Sequence, residues 1–261
     1  ELGSKEIKAI WITKDRKLAS ELRVEGVNAY YYKSFKGGIY QIIARVVFVS
    51  HSISSDLHPS LVGLNTKRIQ LWHGIPLKKI GFDDNFESKK FQTLKKLKLY
   101  SFILNDSYDF VISTGDNCSK LFSTAFNLPL EKIINTGFPR NDVFSCVHRK
   151  GNSQGKFKVI YMPTFRGRAG SEFDLFEPFG FDFDRIESIL DEANIELFIR
   201  THPVNNPSVA ILSKLENAKC IKLSKASDVY DVIDDFDCLI TDFSSIMFDY
   251  ALTDKPILFA P

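Results

Sequence analysis

Two histidines stand where a strand-like apolar run gives way to a turn. His73 follows Arg68–Trp72 and precedes Gly-Ile-Pro-Leu-Lys-Lys, and His202 follows Glu196–Arg200 within Thr-His-Pro. Only five histidines occur in the chain, so two in the same setting, one in each half, stand out. In open parallel sheets, ligands bind outside the carboxyl ends of strands. An imidazole there can take a proton from a hydroxyl near neutral pH. Gly74 lets backbone approach a ligand, Pro76 stiffens the turn, and Lys78 and Lys79 can neutralise phosphate. A third run, Tyr161–Arg168, adds the Thr164 hydroxyl and the guanidiniums of Arg166 and Arg168, which suit bidentate phosphate binding. A fourth, Leu239–Tyr250, reads as a strand, then Thr241-Asp242, then Ser244-Ser245 opening a helix. The free N–H groups of a helix start and two serine hydroxyls make an anion site. Each run also has a plainer reading: a packed histidine, a solvated lysine pair, a basic turn, a serine helix cap.

Familiar alternatives have no support. There is no GxGxxG, no Walker-A loop and no GxSxG elbow. The four cysteines (Cys118, Cys146, Cys220, Cys238) lack CxxC spacing, so they read as reduced, buried or half-buried thiols, not zinc ligands or a disulfide framework. No metal ligand is assigned and metal dependence stays open: the aspartates could hold Mg2+, but no ligand spacing demands it. The longest apolar runs fall far short of the roughly 18 residues of a membrane span. The polar, charged N-terminus is not a signal peptide. It lacks an initiating Met, and the chain stops just after a strand pattern, so both ends are expected to be truncated.

Strand-like runs alternate with helical ones. Strands are expected at Lys8–Thr13, Val27–Tyr32, Val46–Ser50, Arg68–Trp72, Asp109–Thr114 and Lys132–Thr136. Between them, helices are expected at Asp15–Glu25 (apolar face Leu18, Ala19, Leu22), Tyr40–Ala44, Phe86–Leu104 and Asn117–Asn127. The long helix carries Lys89, Lys90, Lys95, Lys96 and Lys98, read as a wet basic face or a membrane-facing one. Polar Val143–Lys156 reads as a linker. Beyond it strands are expected at Phe157–Met162, Glu196–Arg200, Cys220–Leu223, Asp237–Thr241 and Pro256–Phe259. The helices there are Phe183–Ala193, Val209–Glu216, Asp228–Asp234 and Ser245–Leu252. This is a βαβ pattern, and it predicts an α/β protein of two Rossmann-like domains, 1–150 and 151–261.

The charge divides the same way. Residues 1–150 hold 23 Lys and Arg against 14 Asp and Glu, and residues 151–261 hold 11 against 18. The halves are thus net +9 and −7, although the whole is only +2. A basic lobe suits an anionic polymer or membrane surface. Nucleic acid ranks last, since no recognition motif is present.

In this order, Gln70–Gly81 (QLWHGIPLKKIG), Tyr161–Arg166 (YMPTFR), Thr201–Pro203 (THP) and Leu239–Pro256 (LITDFSSIMFDYALTDKP) resemble the CDP-glycerol:poly(glycerophosphate) glycerophosphotransferase family. These are the teichoic acid primases and polymerases and their capsule-synthesis relatives. The resemblance runs from about Lys8 to Pro261 and implies a GT-B-like fold with the active site in the interdomain cleft. It implies an N-terminal acceptor-side domain and a C-terminal nucleotide-donor domain. The donor would be CDP-glycerol or CDP-ribitol, the acceptor a hydroxyl of a lipid-linked or polymeric chain, and the leaving product CMP. His73 matches the proposed base, and His202 the histidine thought to act on the donor pyrophosphate. Arg166, Thr164, Asp242, Ser244 and Ser245 fall on donor-phosphate motifs, and Lys78 and Lys79 on acceptor or membrane contacts. Such enzymes are cytoplasmic and peripheral on the inner face of the bacterial membrane. Two rivals stand beside this expectation: a GT-B nucleotide-sugar glycosyltransferase, and a non-catalytic fragment that binds membrane or polymer.

Overall fold

The computed structural model describes residues 7–84, 107–145, 155–164, 172–173, 182–201, 206–226 and 228–260. The chain divides into two compact units, Glu1–Pro139 and Arg140–Pro261.

In the first unit β1 (Trp11–Thr13), α1 (Arg16–Val24), β2 (Ala29–Tyr31) and α2 (Phe35–Ile43) come first. They are followed by β3 (Val46–Val49), α3 (Ile53–Asp56), β4 (Lys67–Gln70), β5 (Phe110–Ser113), α4 (Asp116–Ala125) and β6 (Ile133–Asn135). β1 and β2 form a parallel pair, and β3-β4-β5-β6 a parallel sheet in that order. Asp15 starts α1 by accepting the amides of Lys17 (2.7 Å) and Leu18 (3.2 Å). Ala19 is the buried contact of that helix, while Leu18 is more than a third exposed. α2 begins five residues before the expected Tyr40, capped by the Ser34 hydroxyl. Its first turn lies directly on β2: a Cβ at Gly37 would stand 2.2 Å from the Tyr31 carbonyl oxygen, so only glycine fits. The expected helix Phe86–Leu104, with its lysines, lies outside the described residues.

Two clusters form the core of this unit. Val47, Val49, Ile53, Leu57 and Val62 pack around β3 and α3. Val111, Ile112, Cys118, Phe122, Ile133 and Phe138 pack around β5, α4 and β6. Each fully buried side chain of this size contributes about 1.5–3 kcal/mol.

In the second unit the elements are β7 (Phe157–Met162), β8 (Glu172–Phe173), α5 (Phe183–Glu192), β9 (Ile195–Ile199) and β10 (Asn206–Pro207). After these come α6 (Val209–Asn217), β11 (Ile221–Leu223), β12 (Cys238–Thr241), α7 (Ile246–Tyr250) and β13 (Ile257–Phe259). β8 and β10 make a separate short parallel pair. The main sheet is parallel, ordered β11-β9-β7-β12-β13. From β7 the chain winds outward through β9 and β11, then restarts at β12 on the other side. That reversal is the switch point of a doubly wound sheet. Successive residues of β7 serve opposite faces: Val159 joins Leu197, Ile199, Ile211 and Ile221, and Ile160 joins Val229, Ile233, Leu239, Ile246 and Tyr250. Burial on both faces accounts for the continuous apolar runs of these strands.

Asp228–Asp234, expected to be a helix, is instead a turn followed by the 3-10 turn Ile233–Asp235. Cys118, Cys220 and Cys238 are buried thiols outside any disulfide; Cys146 is not among the described residues. No described helix is long and apolar enough to cross a membrane.

Candidate active site

The parallel register pairs Val49 with Gln70, so Ser50-His51 and Leu71-Trp72-His73 leave the sheet side by side. This adjacency builds the candidate site of the first unit. The His73 ring places Nδ1 3.0 Å from the Ser50 carbonyl oxygen. A carbonyl only accepts, so Nδ1 carries the proton, and the lone pair of the neutral ring lies on Nε2. The ring stacks on His51 (centroids 4.5 Å apart, planes at 16°) and against Trp72 (4.1 Å, 31°). His73 is exposed, as a base that must reach a substrate hydroxyl has to be.

Trp72 holds a left-handed backbone, φ +59°, at a cost of order 1–3 kcal/mol for a bulky residue. Two things hold it there. Its indole packs edge-on to Phe126 (5.3 Å), beside the core of the first unit. Its amide donates to Gln70 Oε1 (2.9 Å), while Gln70 Nε2 donates to the His51 carbonyl (2.9 Å). Gln70 is fully buried. One side chain therefore fastens the loop carrying His51 to the loop carrying His73. Asp56 anchors the same loop from α3, its Oδ2 accepting the amides of Ser50 (2.7 Å) and His51 (3.0 Å). Replacing Gln70 with Leu fills the space but takes the partner from two part-buried backbone groups, at up to about 1–3 kcal/mol each. Thermal denaturation of Gln70→Leu should show that loss, and the loosened His73 should lower turnover further than the change in folded fraction explains.

The second unit carries its own group of candidate residues at its switch point. Thr164 follows β7 and Asp242 follows β12, two adjacent strands. Asp242 is buried, and its carboxylate accepts the Thr164 amide on Oδ1 (2.9 Å) and the Thr164 hydroxyl on Oδ2 (2.7 Å). It thus braces Thr164 just beyond the end of β7. Ser244 and Ser245 are half-buried just beyond it, and Ser245 caps α7 without a side-chain hydrogen bond. At five residues α7 is shorter than the expected Ser245–Leu252, because its last turn tightens into the 3-10 turn Ala251–Thr253.

Of the residues singled out in the sequence, the structure brings Thr164 and Asp242 together and sets Ser244 and Ser245 close by in the chain. His73 lies in the other unit, with Lys78 and Lys79 exposed on its loop. Arg166 and His202 lie outside the described residues. The sequence reading missed His51, Gln70 and Asp56. His51 carried the same signal as His73, a histidine just beyond a strand, and Gln70 stood within the singled-out Gln70–Gly81 segment. Among the described residues no group of three or more His, Cys, Asp and Glu side chains could hold a metal ion.

A family model described as CDP-Glycerol:Poly(glycerophosphate) glycerophosphotransferase matches residues 3–261. The chain belongs to this family. The teichoic acid poly(glycerol phosphate) polymerase of Staphylococcus epidermidis is 30% identical over 230 residues, 80% of this chain and 31% of that protein. The teichoic acid glycerol-phosphate primase of Bacillus subtilis is 28% identical over 202 residues, 74% of this chain and 50% of that protein. Among solved structures, the wall teichoic acid polymerase TagF matches with a TM-score of 0.65 at 24% identity, over 88% of this chain and 58% of that one. The chain therefore spans between about a third and three-fifths of the length of these relatives. Its parallel α/β sheets are those expected from its sequence, and the fold is shared with TagF.

Proposed function

We propose that this glycerophosphotransferase chain transfers a polyol phosphate from a CDP-activated donor to a hydroxyl of a lipid-linked or polymeric acceptor, releasing CMP. The observation that carries the reading is the His73 geometry. A backbone carbonyl fixes the tautomer, and the basic nitrogen sits beyond the carboxyl end of a parallel strand. His73 Nε2 takes the proton of the acceptor hydroxyl as its oxygen attacks the β-phosphorus. The bond from that phosphorus to the bridging oxygen breaks, and CMP leaves. Phosphoryl transfer needs mainly positioning and charge neutralisation. The Asp242-braced Thr164 loop, Arg166, Ser244, Ser245 and His202 supply these for the donor, making the second unit the donor side. The first unit, with Lys78 and Lys79, is the acceptor side. Relatives named for glycerol phosphate and for ribitol phosphate both match, and a TagF variant was soaked with CDPG, so CDP-glycerol and CDP-ribitol are the donors to test. The protein works at the cytoplasmic face of the cell membrane, where lipid-linked acceptors are extended.

The test is product release from the full-length protein given CDP-glycerol, CDP-ribitol or a UDP-sugar, with a lipid-linked acceptor. CMP from one CDP-polyol only, dependent on acceptor, is the expected result and names the donor. UDP released from a UDP-sugar would move the chemistry to carbon and overturn the reading.

A further inference from the structure

The carboxyl edge of the β1–β2 pair carries a cluster that the transfer chemistry does not use. Segments 13–17 and 31–36 hold five cations, Lys14, Arg16, Lys17, Lys33 and Lys36, against one carboxylate, Asp15. Asp15 is occupied as the cap of α1, and Lys17 pairs with Glu21 at 3.5 Å. Three of the other cations are gathered on two tyrosine rings. The Arg16 guanidinium lies over Tyr31 (4.5 Å), and the Lys14 and Lys33 ammonium groups lie 5.1 and 5.2 Å from the Tyr32 centroid. The rings meet edge to face, 5.0 Å apart at 82°.

The platform is built in. β2 and the start of α2 hold Tyr31 through the Ser34 hydroxyl, which donates to its carbonyl (2.8 Å), and through the close approach of Gly37. The buried Gln41 amide donates to the Tyr32 carbonyl (2.8 Å). The rings are half-buried and the cations exposed. Two ammonium groups on one ring repel each other, and an anion lying across them relieves that repulsion.

The cluster also adjoins the base. Lys14 Nζ donates to the Ser54 carbonyl in α3, the turn that follows His51, and His51 stacks on His73. The cations are spread over two rings instead of converging on one point. That arrangement fits a chain with repeating charges better than a single phosphate.

We infer that Lys14, Arg16 and Lys33, held on Tyr31 and Tyr32, bind the phosphodiester backbone of a polyanionic acceptor chain and lead its end to His73. This rests on the transferase reading above. The test measures binding of synthetic oligo(glycerol phosphate) to the full-length protein without donor, with inorganic phosphate and phosphatidylglycerol vesicles as comparison probes. Lys14→Ala/Arg16→Ala/Lys33→Ala should weaken oligomer binding about tenfold, as expected for three exposed ion pairs, and remove most of its salt dependence. In turnover it should raise the acceptor KM with little change in kcat. Tyr32→Phe keeps the ring and should bind nearly as the wild type does, while Tyr32→Ala should not. Undiminished oligomer binding in the triple variant overturns the inference, and so does a loss confined to vesicles, which would make the patch a lipid contact. Wild-type release of CMP beside undiminished oligomer binding in the triple variant would sink the acceptor track and leave the transferase reading standing. Oligomer binding that depends on the three cations, in a protein that releases CMP from no CDP-polyol, would support the track and sink the transferase reading.

Discussion

His73→Ala should lower turnover with CDP-glycerol by about 10²–10⁴-fold, the usual contribution of a positioned general base. Donor affinity, measured by calorimetry, should stay near the wild-type value, because the residues assigned to donor binding lie in the other unit. The alanine also removes the contact with the Ser50 carbonyl and the stack on His51 and Trp72, so loop disorder could mimic loss of the base. His73→Asn separates the two effects. Its amide can still donate to the Ser50 carbonyl but offers no basic nitrogen, and it should lose as much rate as the alanine. Turnover near the wild-type level in either variant would remove His73 from the mechanism.

What the sequence could reveal was set by the range of the interactions involved. β7 reads directly, because a buried parallel strand is a short apolar run, and Phe157–Met162 is observed as expected. The start of α2 does not, because Lys36-Gly37-Gly38 looks like a break until the Tyr31 carbonyl is known to need that glycine. α3 is one polar turn, Ile53–Asp56, held by Ser52, with no apolar period to announce it. The turn at Asp228–Asp234 has helical spacing, but Tyr230 is drawn instead to the carboxylate of Asp249.

The site divides in the same way. His73, Thr164 and Asp242 were legible because each stands just beyond a strand. Their settings were not. The Ser50 carbonyl, the His51 stack and the Gln70 tie depend on β3 lying beside β4. The grip of Asp242 on Thr164 depends on β12 lying beside β7, 78 residues away in sequence. A chemical type can be read from one position, whereas orientation needs the strand order.

Asp249→Ala should strongly destabilise the second unit. Asp249 is 3% exposed and lies in α7, four residues beyond Ser245. Its carboxylate accepts Arg140 Nη2 at 3.1 Å, Arg140 Nε at 3.2 Å and the Tyr230 hydroxyl at 2.7 Å. Burial first, and the Asp249 charge second, hold the Tyr230 phenol well above the usual tyrosine range, so it remains a neutral donor at any physiological pH. Removing Asp249 takes two hydrogen bonds and a counter-charge from the guanidinium of Arg140, whose side chain is only 22% exposed. The expected loss is about 3–5 kcal/mol, or a Tm lower by roughly 10 °C or more. Tyr230→Phe deletes one hydrogen bond to a charged group and should cost about 1.5–3 kcal/mol. The pair Arg140→Met/Asp249→Leu removes both charges together and should recover much of the loss, because an apolar pair avoids the desolvation of two ions. If Asp249→Ala melts with the wild type, Arg140 must find another anion or water. If the double variant is no better than Asp249→Ala, the geometry of this network, more than its charge balance, holds α7 against the sheet beneath Ser244 and Ser245.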